Sequence, residues 1–295
     1  FLPLLRTLVP DIVDYDLPMF GAFHNCAFLK IRKEYPLHAR RVMHAIWGAG
    51  QMSWTKHIVV VDEDTNVHDD AAVMKAVGER CHPGRDIEQV KGPLDILDHA
   101  APFLGAGTKI GFDATRRLPD ELLPAPTEAA RADEAWQSWP PPPPDDAARD
   151  AALATLRALP GVRGADLPDA LGRRWLFVKV DAAGAGDSWR AFERIADTGL
   201  FRRGAELCPY TVLLSGEADA HKFDDALFHW CANSDPGRDR HAIGDSMGRA
   251  VCFDATTKFP SDGRLGLPVR PFPPILKFDQ QTLDLVERRW GEYGV

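Results

Sequence analysis

The sequence predicts an α/β protein made of two related α/β sandwich units, an internal duplication, each with a mostly parallel sheet, plus terminal helices. Three observations predict it. The run Ile58-Val59-Val60-Val61 is of buried-strand type and gives way to Asp62-Glu63-Asp64. Beyond that acidic turn, Ala72, Val73, Ala76 and Val77 recur at helical spacing until His82-Pro83-Gly84 stops the helix. The same plan then returns between Tyr210 and Asp239, because His68 and His221, Pro83 and Pro236, Arg85 and Arg238, and Asp86 and Asp239 are each 153 residues apart. A second anchor, Phe-Asp-Ala-Thr, occurs at Phe112 and again at Phe253 with an offset of 141, so the loop before it is 12 residues shorter in the second copy.

Taken in order, Leu4 to Val13 has a helical apolar pattern that Pro10 would kink or end. A loop is expected from Asp14 to Gly21, then a strand at Ala27 to Ile31 and a helix over 37–47 that Gly48 and Gly50 close. Strands at 57–61 and Asp86 to Val90 continue the layer, Lys91 to Gly107 is a long loop, and Lys109 to Thr115 is the last strand. Leu118 to Asp146 changes composition, and Pro140 to Pro144 is a stiff polyproline spacer with no amide donors for a sheet. The second copy offers strands at Leu176 to Val180 and Tyr210 to Leu214, with a helix between them that Ser188 would cap. The expected spans are a connecting helix over 1–20, a first unit over 21–122, a Pro-rich linker over 123–150, a second unit over 151–262, and a tail with a helix over 263–295. At 295 residues each unit is long enough for a core of its own.

Composition narrows the function. With 45% hydrophobic and 26% charged residues the chain is of globular type, and a net charge of −8 leaves no basic surplus for following phosphate backbones. No apolar run approaches membrane-spanning length and no leader pattern opens the chain, so a cytoplasmic address is expected. The chain begins at Phe1, inside an apolar pattern and without an initiator methionine, which suggests that something preceded it. Five scattered cysteines with no CxxC pair speak against a disulfide framework or a cysteine zinc site.

The densest set of hard ligands is Asp62, Glu63, Asp64, His68, Asp69 and Asp70 at a strand end, where carboxylates could hold a divalent cation. The second copy has Ser215-Gly216-Glu217 at the first three of these positions, so the set reads more readily as a turn and a helix cap. Arg85-Asp86 and Arg238-Asp239 read as structural pairs. Gly105 to Lys109 lacks phosphate-loop spacing, and no HExxH or nucleophile elbow is present. No self-contained active site is visible, and no residue is assigned as catalytic or metal-binding.

Several stretches together carry a resemblance: YPLHARRVMHAIWGAGQMSWTKHIVVVDEDTNVHD, PGRDI, GPLDILDHA, GTKIGFDAT, and the ending from Pro273-Pro274 to Gly294. They resemble the carboxyl-terminal half of the UbiD-like decarboxylases, with residues 150–262 resembling an additional α/β module. The resemblance implies reversible decarboxylation of an aromatic or α,β-unsaturated acid, of quinone-biosynthesis or aryl type, by a cytoplasmic homo-oligomer. It implies prenylated FMN with a divalent metal (Mn), and K in addition, gripped mainly by an amino-terminal catalytic segment or subunit. The acid pair and the Asn, His and Glu set of that family have no counterpart in this sequence, so this chain alone is expected to be inactive. Its implied contribution is a cleft wall, with Lys91, Leu94 and Leu97 as contacts, together with subunit contacts. The alternative from another class is a non-catalytic assembly module whose terminal helix (Leu283, Val286, Trp290) docks on a partner.

Overall fold

The computed structural model describes residues 1–119, 121, 139, 141–202, 207–243, 248–274, 276 and 278–294. Most of the expected linker, including Pro124, Pro126 and Pro140, lies outside them. The first unit contains α1 (Leu2–Leu8), β1 (Ile12–Asp16), β2 (Cys26–Ile31), α2 (His38–Trp47), β3 (His57–Asp62), α3 (Asp70–Arg80), β4 (Ile87–Pro93) and β5 (Ala106–Ala114). The second contains α4 (Asp146–Arg157), β6 (Val162–Asp166), β7 (Trp175–Val180), α5 (Asp187–Asp197), β8 (Tyr210–Leu214), α6 (Phe223–Asn233), a helical turn Pro236–Asp239, β9 (Arg240–Ile243) and β10 (Ala250–Asp254). A last helix, α7 (Gln280–Arg289), follows.

The two sheets have one topology, β1-β2-β3-β5-β4 and β6-β7-β8-β10-β9, which is the duplication expressed in strand order. The three inner strands of each sheet run parallel and the two edge strands antiparallel. The parallel expectation therefore holds for the inner strands. It does not extend to β4, which pairs antiparallel with β5 from Ile87 to Pro93 and so uses part of the span expected as loop. Strand β1 also lies where a helix end and a loop were expected. Its Asp14 and Asp16 face outward on an edge, so only Ile12 is fully buried and the apolar signal is weak.

Each sheet is apolar on both faces because helices cover both. On β3, Ile58 and Val60 face α1 and α2, whereas Val59 and Val61 face α3. On the second sheet, Leu176 and Val178 face α4 and α5. The remaining inner faces of the two sheets, with α3 and α6 between them, form one core shared by both units. This corrects the expectation of a separate core for each. Trp175 stacks on Tyr210 at 4.5 Å and 15°, and Phe112, Trp230 and Phe253 close the cluster at 5.4–6.4 Å between ring centroids.

Polar groups complete the seam. Trp175 Nε1 donates to the Met74 carbonyl (2.8 Å), the Tyr210 hydroxyl to the Cys81 carbonyl (2.6 Å), and Lys56 Nζ to the Ser234 carbonyl (3.0 Å). The contacts are reciprocal: α3 packs on the 3-10 turn Asp169–Leu171 of the second unit, and α6 packs on its counterpart, Met19–Gly21. The units thus meet like two subunits about a pseudo-twofold axis. All five cysteines are free and buried.

Candidate functional site

The acidic turn after β3 is held by arginines. Arg80, in the last turn of α3, reaches Asp62 and Asp64 (both 3.3 Å), the Arg116 amide donates to Asp62 (2.6 Å), the Arg116 side chain bonds Asp64, and Arg32 pairs with Glu63 (2.8 Å). Asp69 caps α3 by accepting from the Ala72 amide (3.0 Å). His68 lies between Asp16 (3.0 Å) and Asp14 (3.2 Å), and its hydrogen bond to Asp16 holds its pKa above the ordinary value. Partial burial, with Asp16, Asp224 and Asp69 nearby, pushes the Asp70 carboxyl up to about 6. Among the described residues, no group of three or more His, Cys, Asp or Glu side chains is placed to hold a metal ion. The acids of the turn are thus engaged by arginines, a backbone amide and a helix cap, and the described residues do not by themselves fit the metal and cofactor grip that the resemblance implies.

The two Arg-Asp pairs are buried struts. Arg85 donates to Asp86 (3.0–3.2 Å), which also accepts from Arg117 (2.5 Å), and these arginines hold the Asp86 carboxyl below the ordinary range despite its burial. Arg238 grips Asp239 with two bonds (2.8 and 2.9 Å) and also donates to the Ala100 carbonyl (3.1 Å).

The loop from Leu94 to Gly105 is pinned rather than slack. Asp98 pairs with Lys56 (2.8 Å), both side chains fully buried, and Ala100 N donates to Asp98 (3.1 Å). His99 meets Asn233 (2.9 Å), and Arg270 donates to the Asp98 carbonyl (3.1 Å), so the second unit and the tail hold the loop. Of the three residues singled out in the sequence, Lys91 is exposed on β4, Leu94 is wholly buried and anchors the loop, and Leu97 projects with 73% exposure beside Ile96. The spacing does not distinguish anchor from projection, because both are leucines in a short irregular stretch.

Next to this loop the first unit presents an apolar hollow of about 230 Å³, lined by Phe1, Tyr15, Leu17, Phe23, Met52 and Trp54, with Asp95 of the loop at its edge. Ala22 and Phe23 are consecutive left-handed residues (φ 50 and 61), a backbone that costs a side chain about 1 kcal/mol each. On this turn Phe23 is 61% exposed, with Met19 at 75% close by in sequence. Neither feature was singled out from the sequence. The signal that could have found them is a comparison of copies, since the counterparts of Met19 and Phe23 are Asp169 and Arg173.

The family described as the 3-octaprenyl-4-hydroxybenzoate carboxy-lyase C-terminal domain (UbiD_C) matches residues 1–114 and, again, residues 146–265. The chain belongs to this family. Its two UbiD-type units are the two copies read from the sequence. An uncharacterised protein of Archaeoglobus fulgidus is 50% identical over 122 residues, 41% of this chain and 25% of that protein. One of Aquifex aeolicus is 43% identical over 145 residues, 46% of this chain and 30% of that protein. The chain thus spans between 25% and 30% of the length of these curated relatives. Among solved structures, the UbiD-class enzyme HmfF from Pelotomaculum thermopropionicum in complex with FMN is similar at 33% identity, over 40% of this chain and 27% of that one, with a TM-score of 0.36. Vanillic acid decarboxylase of Sedimentibacter hydroxybenzoicus is similar at 26% identity, over 42% and 26%, with a TM-score of 0.37. Among the described residues, no helix is long and apolar enough to cross a membrane.

Proposed function

We propose that this chain is the carboxyl-terminal part of a UbiD-like decarboxylase acting reversibly on an aromatic or α,β-unsaturated acid. In this reading the first unit is the wall against which an amino-terminal catalytic segment or subunit closes, and prenylated FMN and its metal are held by that segment. The observation that carries it is the exposure of Phe23 and Trp54 at the apolar hollow and of Ile96 and Leu97 on the pinned loop that borders it, in a unit where, among the described residues, no group of three or more His, Cys, Asp or Glu is placed to hold a metal ion. Large exposed apolar side chains gathered around one hollow and its bordering loop are the kind of surface that a partner covers. The curated relatives support it, since they extend far beyond the matched region. A second reading, a non-catalytic assembly module, is favoured by α7, which has no buried residue and exposes Leu283, Leu285, Val286 and Trp290.

The test is to co-express the chain with the amino-terminal portion of a longer UbiD-class relative and to follow co-elution, the flavin absorbance and CO₂ release from aryl acids. The proposal expects a stable complex, cofactor uptake and turnover, all lost in Leu97→Asp/Trp54→Asp with the fold intact. A complex without cofactor uptake or CO₂ release supports the assembly module instead. No complex at all removes both readings.

A further inference from the structure

Beyond the carboxyl ends of β7 and β10, where α5 begins, the second unit holds a cavity of about 320 Å³. Open α/β sheets take their ligands at such a crevice. The duplication supplies an internal reference for each of its walls. Leu37 and Gly186 are both left-handed residues at a helix start (φ 62 and 76). Each donates its amide to a carboxylate, Leu37 to Glu121 (3.3 Å) and Gly186 to Asp262 (2.8 Å), which fixes the alignment of the two corners.

On that alignment Lys33, Glu34, Tyr35 and Pro36 become Ala182, Ala183, Gly184 and Ala185. The first unit fills its corner: Lys33 binds Glu121 (2.6 Å), Tyr35 stacks on His38 (4.1 Å), and Arg40 lies between the Arg85 carbonyl (2.8 Å) and Glu88 (3.4 Å). In the second unit Arg40 is replaced by Trp189 and Glu88 by His241, while Asp86 and Asp113 persist as Asp239 and Asp254. The loop before the helix has lost its large side chains, an aromatic wall has replaced Arg40, and the acids of the frame are kept.

The acids of that frame are committed. Asp239 holds Arg238 (2.8 Å), Asp254 accepts from Lys258 (2.9 Å) and Thr256 (2.7 Å), and Asp262 accepts from the Phe259 and Gly186 amides (2.8 Å each). Asp187 accepts from Arg190 (2.6 Å) and the Gly184 amide (2.7 Å). Arg264 is different. Its guanidinium lies 3.3 Å over the Trp189 ring and, among the described residues, meets no carboxylate or carbonyl. A guanidinium stacked on an aromatic face keeps its edge donors free in one plane, a fork that matches two oxygens of an oxyanion. His241, packed against Trp189 (5.2 Å) and Phe192 (5.3 Å), stands at the same wall, and burial lowers its pKa from the ordinary value.

We propose that this corner of the second unit is a binding site for a small oxyanion, carboxylate or phosphate in type, gripped by Arg264 on the Trp189 wall. The test is calorimetric titration of the full chain at low ionic strength with acetate, bicarbonate and inorganic phosphate in turn. One saturable site is expected, and the anion that fills it identifies the class. Gly184→Tyr restores the residue of the first unit and abolishes binding. Its added Cβ meets only the Asp187 carboxylate, at 3.6 Å, and Gly184 has no positive φ, so the fold accepts it. Arg264→Gln weakens binding at least about tenfold, whereas Arg32→Gln, at a surface pair of the first unit, leaves it unchanged. Should Gly184→Tyr melt early, Arg264→Gln decides alone. No saturable heat with any of the three anions, or binding that survives Arg264→Gln, overturns the proposal.

Discussion

The same backbone plan appears twice in this chain with opposite surfaces. The first unit closes its helix-start corner with Lys33, Tyr35 and Arg40, and shows apolar Met19 and Phe23 to solvent. The second opens that corner with Ala182, Gly184 and Ala185, and has charge where the first is apolar, Asp169 pairing with Arg173 (2.5 Å). What is common to both is the frame: strand order, the left-handed residue at the helix start, and the Arg-Asp strut. Duplication therefore preserved what sets the fold and exchanged the side chains that face solvent. The two copies serve as controls for each other, since any residue can be judged against its counterpart in the same molecule.

The largest effect is expected where the copies cease to be separate. Trp175→Ala removes a stacked ring and its bond to Met74 from the shared core, at a cost of about 3–5 kcal/mol. Denaturant unfolding should remain a single transition moved as a whole, because both units lose the same core. Two transitions with only one displaced would show that the units unfold independently.

A smaller effect separates His82 from its counterpart Asp235. Burial pushes the His82 pKa down to about 3, and its ring accepts from the Gly84 amide (3.1 Å), so it is neutral in the fold. The unfolded chain takes up the proton near 6.5, so this contribution is complete above that pH and is lost as pH falls from 6.5 toward 3. Asp235 has the opposite sign, because burial raises its carboxyl and its contribution is lost as pH rises through and above 3.8. His82→Gln should flatten the stability curve between pH 6.5 and 5, where one histidine contributes at most about 1.4 kcal/mol per pH unit. An unchanged slope would mean that His82 does not control this limb.

The smallest effect is at the caps of the central helices. Asp69 caps α3, whereas Lys222, with nearly the same backbone (φ −114, ψ 101), gives α6 no side-chain cap. Asp69→Ala should lower stability by about 1 kcal/mol and Lys222→Asp should raise it by about 0.5 kcal/mol. Opposite shifts in midpoint, the loss at Asp69→Ala about twice the gain at Lys222→Asp, would confirm the equivalence, and a loss at Lys222→Asp would break it.

Much of the frame was legible because strands such as Ile58 to Val61 and Tyr210 to Leu214 are continuous apolar runs, and because shared residues fix the offset of 153. Direction and partnership were not. The antiparallel course of β4 depends on where Ala106 to Ala114 returns, and the shared core depends on which apolar face meets which, information that periodicity does not hold. The cap of α5 was misplaced on Ser188. The helix starts from Gly186, whose positive φ sets the turn, and Ser188 is buried within the first turn. The open corner escaped notice because glycine and alanine announce no chemistry, and only Tyr35 set against Gly184 reveals it.

The shared core also sets an order of events during synthesis. When Ala114 leaves the ribosome the first sheet is complete, yet its inner face must wait for Trp175, Tyr210 and Trp230. At typical elongation rates that delay is on the order of 10 s, far longer than helix formation or collapse. Through that interval the nascent first unit carries an uncovered apolar surface, and the chain is most exposed to aggregation and most in need of a chaperone before its second half arrives.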